Sequence, residues 1–349
     1  MQSIILLTRP FLAILVSTLF LTGAPIALLI VLAIRIVAAR LLTTRSVLLL
    51  LFTLTTLPIL VLLLLATALL AQRSRRSGGY GGWGGWGRGE RYESYQNPRE
   101  IPQHASGEDG EIAETPNWTN TPGFEKDVFT FLRIKRSSGG WSGGPWWTDT
   151  PDADLNLAWR LSTLTSLKVN PDGRFLHLTE KELKDYPFIY MVEPGSLSLD
   201  DEEVVVLRKY LLNGGFLWVD DFWGEGEWDN MASELKKIFR DREFVELPLD
   251  HPLYHCVFDI KSKDMVPNVE NGSRQQFYPD YPIWEKGGRV THHRAIFDDK
   301  GRIMVFATHN TDNGDGWEWE GNNHYYFEHF AEKTAYPLAI NVLFYTMTH

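Results

Sequence analysis

Two long runs without a charged residue, Pro10 to Ile34 and Ser46 to Gln72, dominate the start of the chain. As helices, each is long enough to cross about 30 Å of hydrocarbon, so residues 1–76 are predicted to hold two membrane segments, about 10–34 and 46–72. Arg35, Arg40 and Arg45 lie between them, and Arg73, Arg75 and Arg76 follow the second. Counting positive charges therefore does not orient the hairpin. The second segment ends in Ala66-Thr67-Ala68-Leu69-Leu70-Ala71-Gln72, small residues resembling a signal-peptidase site, which predicts a signal peptide or uncleaved anchor from about Arg40. A plain two-span anchor is the alternative. The periodicity then stops: Gly78 to Gly87 interleaves glycine with Tyr80, Trp83 and Trp86, and the stretch up to Gly123 is rich in Pro, Glu, Asn and Thr. Such composition buries too little apolar area to offset its ordering entropy, which predicts a disordered linker over 77–123.

From Phe124 to His349 short apolar runs alternate with amphipathic ones. Val128 to Ile134 and the continuous apolar Phe188 to Val192 read as strands, the second covered on both faces. Between them Leu157, Leu161 and Leu164 share one helical face, with Asp152 as the expected N-cap. A helix capped by Ser198, with Asp200 to Glu203 at its positive end, is predicted to run to Leu212 and to stop at Gly214-Gly215. Phe216 to Val219 follows as a buried strand, then an acidic aromatic loop, a helix Met231 to Phe239 and a strand Phe244 to Leu247. Arg294 to Phe297 and Ile303 to Ala307 flank a hairpin turn at Asp298 to Gly301, and Ala335 to Met347 is a largely apolar last helix. This alternation predicts an α/β domain with a doubly wound, mainly parallel sheet and an antiparallel addition near the C-terminus.

Charge changes the picture. Seven of the 34 Lys and Arg lie in residues 1–76 and none of the 44 Asp and Glu does, so the remainder carries a net −17. Such a surface repels nucleic acid and anionic headgroups, leaving cations, neutral polymers or basic proteins as partners. The single Cys256 excludes an internal disulfide and a thiolate metal cluster.

Trp146-Trp147-Thr148-Asp149 with Ala153-Asp154, the run Leu211 to Trp228 with its Gly-Gly-Phe-Leu core, Gly301 to Val305, and Gly314-Asp315-Gly316-Trp317-Glu318 together resemble the bacterial domain-of-unknown-function 4159 family over Phe124 to His349. That resemblance implies a divergent branch of the class I glutamine amidotransferase-like fold, flavodoxin-like in architecture, with no established reaction. The active amidotransferases of that fold carry a Cys in a Gly-x-Cys-x-Gly elbow. No such elbow exists here, and Cys256 lies in His255-Cys256-Val257, so glutamine hydrolysis by that route is not expected.

Candidate chemistry gathers after the Phe216 strand, where ligands bind in open α/β sheets. Asp220, Asp221, Glu225, Glu227 and Asp229 follow one another closely, and crowded carboxylates suit a hard cation or an acid/base pair. The competing reading is one helix cap among solvated acids. Trp223, Trp228, Asp315 and Trp317 extend the ligand-binding candidates, since rings beside carboxylates grip sugars or cations; the same rings also serve to roof loops. His251 and His255, four apart, would share a helical face and are the transition-metal candidates, if any; His292 and His293 sit at a strand start. No phosphate-cradling or dinucleotide motif follows a strand, so no nucleotide cofactor is expected, and a divalent metal is the one cofactor kept open.

The leading expectation is a domain tethered to a bacterial inner membrane, on its extracytoplasmic side, binding a ligand, an envelope protein or a glycan. The alternative is a hydrolase on a glycan or an amide in which Asp221 or Glu225 works with His251 or His255.

Overall fold

The computed structural model describes residues 93–101, 116–123, 127–136 and 146–349, all within the compact unit Gly84–His349. The two expected spans, the cleavage-like segment, the whole Gly-Trp stretch and Trp141 lie outside the described residues. Among the described residues no helix is long and apolar enough to cross a membrane.

The fold is mixed α/β, with one seven-stranded sheet. In chain order it comprises β1 (Leu132–Lys135), α1 (Asp152–Leu164), β2 (Arg174–His177), β3 (Phe188–Val192), α2 (Asp201–Leu212), β4 (Phe216–Asp220), α3 (Gly224–Ile238), β5 (Val245–Glu246), α4 (Val269–Arg274), β6 (His292–Phe297), β7 (Ile303–His309), α5 (Asn313–Glu318) and α6 (Tyr336–Thr348). The sheet order is β2-β1-β3-β4-β7-β6-β5. The first five of these pair in parallel, while β6 and β5 are added antiparallel.

The side-chain period of two sorts the strands onto two cores. Phe188, Tyr190, Phe216, Trp218 and Phe306 face α1, α5 and α6 on an aromatic side, with Trp317 among them. Ile189, Met191, Leu217, Val219 and Val305 face Leu207 and Leu211 of α2 and Met231 and Leu235 of α3. β3 and β4 are buried at every position, which is why Phe188 to Val192 and Phe216 to Val219 read as unbroken apolar runs.

Several expectations need correcting. The first strand starts later than Val128, with Phe129 contributing only an isolated bridge to Val169. The α2 cap is Asp200, not Ser198: its side chain accepts from the Glu203 N–H while Glu203 reaches back to the Asp200 N–H. Pro151, not Asp152, is the residue before α1, and Asp152 is its buried first residue. The acidic stretch after β4 is not a loop: α3 begins at Gly224, so Glu225, Glu227 and Trp228 are helical. Part of the expected linker is built into the domain, since Gln96 accepts from the Phe175 N–H at 2.8 Å and Ile101 packs with Trp146 and Phe175.

Candidate functional site

The outgoing turns of the parallel strands meet at one edge. There, non-glycine residues adopt the left-handed conformation one after another: Asp149 (φ 65°) on the β1–α1 loop, Glu193 (46°) directly after β3, Asp221 (53°) directly after β4 and Asn310 (61°) directly after β7, with Lys286 (46°) beside them. Each costs of order 1 kcal/mol or more, least for Asp and Asn, and such strain persists where the surroundings over-determine it. β1 is also where the chain reverses its direction of growth, to β2 on one side and β3 on the other. In open α/β sheets the crevice at such a switch point is the usual ligand position.

A buried polar row forms the floor. Arg133 at the centre of β1 is fully buried and forks onto Asp154 of α1 (Nη2 to Oδ2, 2.5 Å). Its Nη1 donates to the carbonyls of Trp146 and Thr148, fixing the loop that carries Asp149. In register beside it stand Tyr190 and Trp218. The Tyr190 hydroxyl donates to Asp220 Oδ2 at 3.0 Å. Asp220 also accepts from the Thr308 hydroxyl (2.5 Å) and from the backbone N–H (3.0 Å) and side-chain amide (2.8 Å) of Asn313. Burial pushes its pKa up, and these donors pull the other way. Asp220 is thus a buried tie between β3, β4, β7 and α5.

Its neighbour Asp221 turns to the crevice. The Trp223 indole N–H donates to its Oδ1 at 2.9 Å. Burial first, then the charges of Glu193, Asp149 and Glu285, push its pKa well above the ordinary carboxylate range. Asp149, Asp312 and Asp315 complete the concentration: all three are buried and each can present an oxygen within 4.8 Å of the others. Burial and mutual repulsion raise all three well above normal, with Asp315 the largest charge acting on Asp149, Asp221 on Asp312, and Glu318 on Asp315. Backbone amides orient two of them: Asp312 Oδ1 accepts from the Asp315 N–H and Asp315 Oδ2 from the Val269 N–H.

The structure distributes the other candidates. Glu227 is buried, bridges Lys286 at 2.5 Å and accepts from the Trp223 N–H; it holds the first turn of α3 against the Lys286 segment. Glu225 and Asp229 face solvent. Trp223, Trp146 and Trp317 are buried, so none offers a free face, while the half-buried Trp228 carries the Arg294 guanidinium over its ring at 3.9 Å. His292 lies near Glu246, and His293 is buried against the Tyr254 hydroxyl with its pKa pushed down by burial to about 3.

His251 and His255 do not join the acids. His251 is the residue before a short 3-10 turn, Pro252–His255, rather than on one helical face with His255, and its Nδ1 accepts from the Leu253 N–H. Its ring packs on Phe297 and Tyr345; Phe297 pairs with Ile303, the start of β7, whereas Asp220 ends β4 alongside the far end of β7. His255 has both nitrogens engaged, by Asp259 and the Leu249 carbonyl. Asp149 and Asp312 were missed as site residues. The available signal was an Asp on each side of an Asn-Gly step, Asp312-Asn313-Gly314-Asp315, shortly after a buried strand.

The family profile of the domain of unknown function 4159 matches residues 130–347. The chain belongs to this family. The match begins before β1 and ends inside α6, so the domain of unknown function 4159 includes the whole sheet and every acid of the crevice. A search of the curated proteins finds no match.

Proposed function

We propose that the domain binds a positively charged group, carried by a ligand or present as an ion, in the crevice formed by Asp149, Glu193, Asp221, Asp312 and Asp315. The observation that carries the reading is the run of strained, mostly acidic residues at successive strand ends. A fold gains nothing from left-handed carboxylates that repel one another, whereas a cation site needs them, and stability given up at a site is the common trade for function. The scaffold in this reading is amidotransferase-like without the Cys nucleophile. The turn from β4 into α3, with left-handed Asp221, supports that kinship, since nucleophile elbows are strained strand-to-helix turns, but the residue is a carboxylate. The two charge-free runs in residues 1–76 support a tether to a bacterial inner membrane, and the signal-peptidase-like segment Ala66 to Gln72 supports placing the domain on the extracytoplasmic side. Hydrolysis by Asp221 or Glu225 with His251 or His255 has no support, because the base and the acids lie at different edges.

Asp221→Asn tests the reading. Asn tolerates the left-handed backbone and keeps an oxygen for Trp223. A carboxyl group whose folded pKa is raised contributes stability below its unfolded pKa and loses it as pH rises toward the folded value. The variant should therefore melt higher than the parent at pH 8 and equal to it near pH 4. A variant that melts several degrees lower at pH 8 would make Asp221 a structural residue and refute the proposal.

A further inference from the structure

Resting on that reading, we infer that the positive charge taken by the crevice is a hard divalent cation held by Asp149, Asp312 and Asp315. These are not the histidines that the sequence offered as metal ligands. The three carboxylates come from the β1–α1 loop and from the segment after β7, two places brought together only by the fold, and their oxygens lie within 4.8 Å of one another. Ligands of calcium stand about 2.3–2.6 Å from the ion, and so up to about 5 Å apart across it. The separation of the three oxygens is therefore compatible with ligation of a single ion of that size.

A second, independent observation points to an ion. Asp149 is only 6 % exposed, yet its Oδ2 has no hydrogen-bond partner. Buried carboxylate oxygens are almost always satisfied, because an unpaired one costs several kcal/mol. Arg133 is a cation that acts on Asp149, but its guanidinium is committed to Asp154 and to two carbonyls. The free oxygen lies over Gly314: a β-carbon there would stand 2.1 Å from Asp149 Oδ2 and 3.5 Å from Asp312 Oδ1. Glycine at 314 is thus what lets the Asp149 carboxylate approach the Asp312 side of the cluster. Asp312 and Asp315 are already aimed by the N–H groups of Asp315 and Val269, so the donor set is preorganised. All-oxygen, carboxylate-rich ligation selects calcium, magnesium or manganese over softer metals.

The test uses the full-length chain purified in detergent. Bound metal is measured by mass spectrometry, and thermal melts at pH 7.5 are run in EDTA and with added Ca2+, Mg2+ or, as a purely electrostatic control, spermidine. One equivalent of divalent metal is expected, with a melting temperature raised by about 5 °C or more at a hundredfold excess over the dissociation constant. Asp149→Asn and Gly314→Ala should each abolish this shift. The first should melt no lower than the parent in EDTA, because a buried like charge has gone. The second keeps all three carboxylates and places a methyl where Asp149 Oδ2 lies. Glu225→Gln, which removes a solvent-facing carboxylate that takes no part in the crevice, should retain the response. A parent indifferent to EDTA and to both metals, or variants that respond as the parent does, would overturn the inference. Stabilisation by spermidine but not by Ca2+ or Mg2+ would overturn the ion while leaving the cation-binding crevice standing, and a destabilised Asp221→Asn would remove both.

Discussion

Asp220 and Asp221 are adjacent carboxylates to which the structure gives opposite roles, and replacing Asp220 by Asn separates them quantitatively. Asp220 is fully buried and accepts four hydrogen bonds, two at each oxygen. In Asn one oxygen becomes an NH2. Whichever way the amide is turned, it then faces a hydroxyl and an N–H, either Tyr190 with the Asn313 backbone or Thr308 with the Asn313 side chain. The hydroxyl can rotate to accept, whereas the N–H opposes another donor and is left unpaired. Hydrogen bonds to a charged acceptor contribute about 1.5–3 kcal/mol each, and a stranded buried donor costs a further 1–3 kcal/mol. Relief of the charge's desolvation offsets part of this, so a net loss of about 2–4 kcal/mol is expected, a large share of the 5–15 kcal/mol that a domain commonly has. Urea unfolding at pH 7, followed by tryptophan fluorescence and by circular dichroism, measures it; Trp218 and Trp317 lie in the same core and report its opening. A loss below 0.5 kcal/mol, or a gain as expected for Asp221→Asn, would show that the four contacts do not hold β4, β7 and α5 together.

Other consequences follow from the same geometry. Arg133→Met strands the buried Asp154 and should cost about 3–5 kcal/mol in urea unfolding, with most of it regained in the double variant with Asp154→Leu. His293 titrates near 6.5 when unfolded and near 3 when buried, so its contribution is present above pH 6.5 and lost as pH falls toward 3. That amounts to roughly 5 kcal/mol by pH 3, and His293→Gln should flatten the acid limb of a stability-against-pH curve. If the acid limb is unchanged in that variant, the buried imidazole is not its cause.

The sequence made the central layer legible and the site only in part. Phe188 to Val192 is apolar at every position and was delimited to the residue, and the hairpin at Asp298 to Gly301 announced itself by its turn. β2 escaped because Arg174–His177 offers only two apolar residues, the mark of an edge strand. The start of α3 was hidden by Gly224 and Gly226, which read as loop although Gly224 meets a real constraint: φ is 70° and a β-carbon would stand 2.5 Å from the Lys286 carbonyl oxygen. Asp221 was found because it follows an obvious strand. Asp149 and Asp312 were not, since nothing local says that a loop after the first strand and a turn after the last will meet. His251 and His255 misled for the converse reason: a spacing of four implies a shared face only in an α-helix, and Pro252–His255 is a 3-10 turn.

The sheet order also bears on how the molecule comes into being. β7, near the end of the chain, inserts beside β4 at the centre of the sheet, while β5 and β6 fill in outside it. Closing so long a loop carries a large entropic barrier, and proteins dominated by such non-local pairings fold slowly. The turn holding Asp312 and Asp315 arrives with β7, so these two acids meet Asp149 and Asp221 at that step and not before. A chain still lacking its last strands bears only the repulsion among Asp149, Glu193 and Asp221, and the rest of the electrostatic penalty falls on the one docking event that completes the sheet.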